Sequence, residues 1–172
     1  MLLAAIYDFP IIKVFRFLAP RTWKKLVAAP PFRATLSIMD DFEKAVDNTS
    51  GYEWSEVAGS VRALDTFLER PKGNRPIIAI HAVEGAHSLG LETTSPEGAL
   101  KNLEVFFNRG VACLTLAHFY RNLVVNPTYP FPDDVVKLSA RPGMWRDLTL
   151  GLTETGKQVV EKMIELGMLI DI

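Results

Sequence analysis

This chain is poor in the residues that usually announce a function. Its 172 residues include one cysteine and three histidines, and each scarcity narrows what it can do. A lone cysteine, Cys113, excludes a disulfide framework within the chain, and its place inside an apolar run marks it as a small buried hydrophobe. His81, His87 and His118 stand in neither a His-x-His nor a His-Glu-x-x-His spacing, so there is no self-contained zinc signature. Gly-x-Gly-x-x-Gly, phosphate-loop and Gly-x-Ser-x-Gly patterns are missing too, which removes the usual grounds for nucleotide binding and serine esterase chemistry. No uncharged stretch reaches the roughly 18 to 20 residues that a membrane-spanning helix needs. A net charge of −1 gives no general attraction to polyanions, so no nucleic-acid partner is expected.

What is present is ample apolar material. At 48% hydrophobic residues, a chain of this length can bury a core as one domain. Met1 to Tyr7 is apolar but has no basic segment before it and is broken by Asp8 and Pro10, so it does not read as a secretory signal. The expectation is a soluble, cytoplasmic protein. Residues 1–36 form an irregular basic lead-in, with Pro10, Pro20, Pro30 and Pro31 breaking helices and six cations from Lys13 to Arg33 facing Asp8 alone. Such a charge run is most simply a solvated face; contact with a membrane surface is the lesser reading.

From residue 37 onward the pattern becomes regular. Asp40 and Asp41 open a short helical pattern, and Trp54, Val57, Val61, Leu64 and Leu68 recur at helical steps until Pro71 and Gly73. Ile77 to Glu84 then reads as a buried strand. Ser95, Pro96 and Glu97 supply an N-cap, a first helical residue and a first-turn acid, with Leu100, Leu103 and Phe107 as the buried stripe and Gly110 as the stop. Val111 to His118 is a second strand. After it come 34 residues, 119–152, rich in proline and aromatics, whose length suits a lid or substrate wall. Thr153 caps a last helix carrying Val159, Val160, Met163 and Ile164, Gly167 closes it, and Met168 to Ile172 is a third strand. Strand, helix and strand with short joins imply right-handed βαβ units and a parallel sheet.

In such folds chemistry gathers at the carboxyl ends of the strands, and here those ends carry Glu84 and His118. A carboxylate there is poorly solvated unless a metal, a cation or the following turn satisfies it. His118 is either a site residue or a core histidine bonded to a carbonyl. His81 has the opposite strand parity to Glu84 and should pack against outer helices. His87 lies in the turn after Glu84, facing the site or capping the loop.

Ile80-His81-Ala82-Val83-Glu84-Gly85-Ala86-His87-Ser88 resembles the x-x-E-G-x-H-S strand end of the membrane (renal) dipeptidase family. In order after it, Leu114-Thr115-Leu116-Ala117-His118 resembles that family's L-T-x-x-H strand end, with Asn122 following four residues after His118, one further than in the family's H-x-x-N. Gly151 to Val160 and Leu166 to Ile172 resemble its G-L-T-x-x-G-x-x-V-V and L-G-M-L-I-D-I segments. The resemblance implies part of a (β/α)8 TIM-type barrel of the amidohydrolase superfamily, with two zinc ions, cleaving dipeptides or small amides. It makes Glu84 the metal-bridging carboxylate and His118 the catalytic, substrate-binding imidazole, with Asn122 beside it. The family's first strand carries His-x-Asp; here Ile6-Tyr7-Asp8 keeps the aspartate, so Asp8 is the second metal candidate, and has Ile6 in the histidine's place. A whole barrel takes about 250 residues. The chain is therefore expected to be an N-terminal portion with an incomplete metal site, which self-associates or meets a complementing chain. The other reading is a dipeptidase-like scaffold without catalysis that binds a peptide or a subunit.

Overall fold

The computed structural model describes residues 2–4, 29–48, 55–74, 77–90, 95–118, 122–126 and 151–172. In chain order these form β1 (Leu2–Ala4), α1 (Pro31–Asn48), β2 (Ser55–Val57), α2 (Val61–Leu68), β3 (Ile77–Ala79), β4 (His81–Glu84), α3 (Pro96–Asn108), β5 (Val111–Thr115), α4 (Glu154–Leu166) and β6 (Leu169–Asp171). Among the described residues, every pairing between these strands is parallel. Four strands make one sheet in the order β1-β4-β5-β6, and β2 pairs with β3 in a second.

The α3 and α4 helices form as their caps dictate. Ser95 Oγ accepts from the Gly98 amide at 3.1 Å and Thr153 Oγ1 from the Gly156 amide at 2.9 Å, while Gly167 ends α4 in the left-handed region. Each helix links two neighbouring parallel strands, β4 to β5 and β5 to β6, as the βαβ reading required.

Three expectations are corrected. Helix α1 starts at Pro31, not at Asp40, so the lead-in expected to be irregular through residue 36 is helical from 31 and already contains β1 at Leu2–Ala4. Proline fits the first turn because its missing N–H would have no intrahelical partner there; the Ala34 amide bonds the Pro30 carbonyl at 2.9 Å. The helical pattern from Trp54 to Leu68 splits, with Ser55–Val57 a strand and only Val61–Leu68 helical. Ser60 decides this by capping α2: its hydroxyl accepts from the Ala63 amide at 3.1 Å. The buried stripe of α3 runs through Ala99, Leu103 and Phe106, whereas Phe107 is 38% exposed. A one-residue rotation brings Phe106 against Phe32 of α1, ring centres 5.2 Å apart. In addition, the run Ile77 to Glu84, read as one strand from the sequence, breaks between Ala79 and His81 and leaves its two halves, β3 and β4, in different sheets.

The core lies between one face of the four-stranded sheet and the helices α1, α3 and α4, with Met39, Val83, Leu103, Phe106, Leu114, Val159 and Met163 at its centre. Burial alternates along β4: His81 and Val83 are buried, Ala82 and Glu84 half-buried. The helix-covered face is therefore that of Val83, and Glu84 lies on the other. The ends of the 127–150 stretch are held together at its base, where the Asn126 amide bonds the Gly151 carbonyl at 2.9 Å and Val125 bridges Leu152. Here α4 runs so close to residue 124 that a Cβ on Gly156 would lie 2.1 Å from the Val124 carbonyl oxygen. The stretch expected to act as a lid otherwise lies outside the described residues.

Candidate active site

Register places Ala4, Glu84, Thr115 and Asp171 side by side, one per strand, in a single row at the carboxyl edge of the sheet. Thr115 donates its hydroxyl to Asp171 Oδ2 at 2.7 Å, and the Leu116 amide bonds the Asp171 carbonyl at 2.8 Å, so β5 and β6 are clasped at their ends. His118 lies three residues past the end of β5, not within the strand as its apolar run suggested. Its Nε2 is 3.5 Å from Glu84 Oε1, with His118 10% and Glu84 24% exposed. The two residues that sequence reasoning chose thus meet. Burial pushes the His118 imidazole below its ordinary value, with the Glu84 charge pulling more weakly upward, so the ring favours its neutral form.

The turn after Glu84 explains how they are brought together. The Gly85 amide bonds the Thr115 carbonyl at 2.9 Å and the Ala86 amide bonds the Leu116 carbonyl at 3.3 Å, extending the ladder past the strand. Gly85 has φ +99°, and a Cβ on it would lie 2.3 Å from His87 Nδ1 and 2.9 Å from His118 Cβ. Only glycine fits here. The following 3-10 turn, Ala86–Leu89, is wholly buried and folds His87 back until its ring lies 6.0 Å from that of His118, with the planes 20° apart.

The remaining sequence candidates fall differently. His81 is buried on the opposite face, as its parity required, with Nε2 2.9 Å from Glu43 Oε1 and Phe42 edge-on to its ring. Asn122 holds a turn: its Oδ1 accepts from the Val124 and Val125 amides at 2.8 and 3.0 Å, and its Nδ2 donates to the Leu116 carbonyl at 3.5 Å. Asp8 lies outside the described residues. Cys113 is half-buried, its thiol pushed up by burial and then by the Asp171 charge. Thr115 and Asp171, which share the edge row with Glu84, were not singled out from the sequence; matching the last residue of each parallel strand would have found them.

Among the described residues, no group of three or more His, Cys, Asp or Glu side chains could hold a metal ion. Glu84 and His118 offer one carboxylate and one imidazole toward such a set. An apolar crevice of about 520 Å³ opens elsewhere, where the strands begin, lined by Val61, Leu64, Ile80, Phe107 and Met168. It holds no paired acid and base, unlike the carboxyl edge. No helix among the described residues is long and apolar enough to cross a membrane.

Parallel strands linked by helices, with an acid and an imidazole at their carboxyl edge, define an α/β protein covering part of a TIM-type barrel. In the solved structures, an amidohydrolase from Pseudomonas aeruginosa matches with a TM-score of 0.54 at 17% identity, over 91% of this chain and 42% of that one. At that identity the likeness is one of fold, and this chain spans less than half of that protein's length. No curated protein matches. The profile of the membrane dipeptidase family, peptidase family M19, matches residues 17–172, and the chain belongs to that family. The matched span includes Glu84, His118 and Asn122 and begins after Asp8.

Proposed function

We propose that this chain forms part of a zinc-dependent, dipeptidase-like hydrolase that cleaves the amide of a dipeptide or a similarly small substrate. The observation that carries this reading is the Glu84–His118 pair, 3.5 Å apart at the carboxyl edge within the family-matched span. Bound zinc would supply Lewis acidity and a water acidic enough to be deprotonated near neutral pH. Glu84 would hold it, with Asp8 the second carboxylate candidate and further donors coming from outside the described residues. Neutral His118 can donate one N–H toward the scissile carbonyl, where negative charge develops. Asn122 stands at the same edge through the turn it holds, and its proposed contact with substrate rests on the family resemblance.

A second reading has its own support. Fewer than three donors meet among the described residues, and Ile6 stands in the family histidine's place, which suits a non-catalytic scaffold that binds a peptide or subunit. The β6 edge bears on partners under either reading, since Leu169 is 67% and Ile170 37% exposed on a parallel strand, a class normally covered. We assign that edge to self-association or to a complementing chain. A cytoplasmic setting is proposed on the single cysteine alone.

The test measures zinc content, dipeptide hydrolysis and light-scattering mass of the purified chain and of Glu84→Gln. Zinc and turnover in the wild type, both lost in the variant, are expected. Peptide binding without metal or turnover in either protein would replace the hydrolase by the scaffold.

A further inference from the structure

The Glu84–His118 pair leaves unexplained why a second imidazole is buried directly behind it. We propose that His87 is a positioning residue for His118: a flat wall against which the His118 ring is held beside Glu84. This rests on the reading of His118 as the substrate-facing imidazole.

Three observations support it. His87 is 1% exposed, so it presents no open face to solvent. Its ring is nearly parallel to that of His118, with centres 6.0 Å apart and planes at 20°, and Gly85 is packed against both residues. And its own position is fixed from several directions. The Ala86 amide ties the turn to the Leu116 carbonyl, two residues before His118, and the Gly90 amide bonds the His87 carbonyl at 3.1 Å. Asn102 of α3 donates its side-chain amide to the Leu89 carbonyl at 2.7 Å. The wall is thus anchored to the strand end that carries His118 and to the helix that crosses behind it.

A loop imidazole rotates readily about its last side-chain torsion, which has a broad energy profile. An edge-on displacement of about 1 Å can cost a reaction roughly a hundredfold in rate. Packing a rigid, buried ring against His118 limits that rotation.

The experiment compares His87→Phe and His87→Ala in the full chain by histidine-selective NMR of the His118 ring, by thermal melting, and by kcat and KM for a dipeptide. With the flat face kept, His87→Phe should leave the His118 ring signals close to the wild type and retain most of kcat. With it removed, His87→Ala should move those signals toward free histidine and lower kcat by about tenfold or more, with KM little changed. If His87→Ala does not fold, His87→Leu fills the volume without a flat face and should behave in the same way. Unchanged His118 signals in the folded Ala or Leu variant would overturn the proposal, as would a Phe variant as disturbed as the Ala one. An assembled wild type that holds no zinc and cleaves no dipeptide would sink the hydrolase reading, while the NMR comparison would still decide the role of His87.

Discussion

Strand β4 carries two histidine–glutamate pairs that look alike on paper and differ in every physical respect. On its helix-facing side, His81 lies 2.9 Å from Glu43 with its ring 3% exposed, and Arg109 completes the cluster by bonding Glu43 at 3.0 Å and Asp40 at 2.7 Å. Those two carboxylates hold the Arg109 guanidinium above its ordinary value, Asp40 contributing most. On the other side, at the carboxyl edge, Glu84 and His118 stand 3.5 Å apart, and the imidazole is pushed toward neutrality. The first cluster stitches α1 to β4 and to the end of α3. The second holds an acid and a base close together at the sheet edge, an arrangement suited to chemistry. Identity of residues does not separate structure from site; the face and the end of the strand do.

The comparison can be broken most severely at Gly85. Gly85→Ala combines a left-handed backbone with a Cβ inside the van der Waals radius of both His87 and His118, and should cost about 3 kcal/mol or more of stability in denaturant unfolding. A cost well under about 1 kcal/mol would mean that the two imidazoles are not packed against it. Glu43→Ala comes next: leaving buried His81 without its carboxylate should destabilise the fold by about 2 kcal/mol while zinc content stays at the wild-type level. Loss of zinc in that variant would show that the two pairs are not independent. Glu84→Gln should change stability by less than about 1 kcal/mol because the side chain is half-exposed, yet abolish zinc binding and turnover.

The smallest effect is one of pH. Because the His118 value is lowered by folding, protonating it opposes the folded state. Stability should fall as pH drops from the ordinary histidine range toward that lowered value, and level off below it. Glu84→Gln removes the charge that pulls the value upward and should lower it further by NMR titration. A rise would mean that Glu84 does not act on this ring.

Much of this arrangement was legible beforehand for identifiable reasons. Caps at Ser95 and Thr153 and stops at Gly110 and Gly167 are local chemistry, so α3 and α4 could be placed from a few residues each. Parity along β4 separated His81 from Glu84, because alternation in a strand survives whatever packs on it. What failed did so through competition. The periodicity from Trp54 to Leu68 suited one helix, but the Ser60 cap and pairing with β3 divided it. Phe106 and Phe107 are interchangeable by pattern, and contact with Phe32 chose between them. The start of α1 was missed because two adjacent prolines read as a break when the second was the first helical residue.

By itself the sequence determined a parallel α/β order, the family, and the two residues worth explaining, since all three depend on short-range spacing and on runs of apolar residues. Only the tertiary structure decided that Glu84 and His118 touch, that Thr115 and Asp171 clasp the strands beside them, and that His87 lies behind His118. These are contacts between strands and turns far apart in the chain. Strand register and a single glycine turn fix them, and neither is encoded in any local pattern.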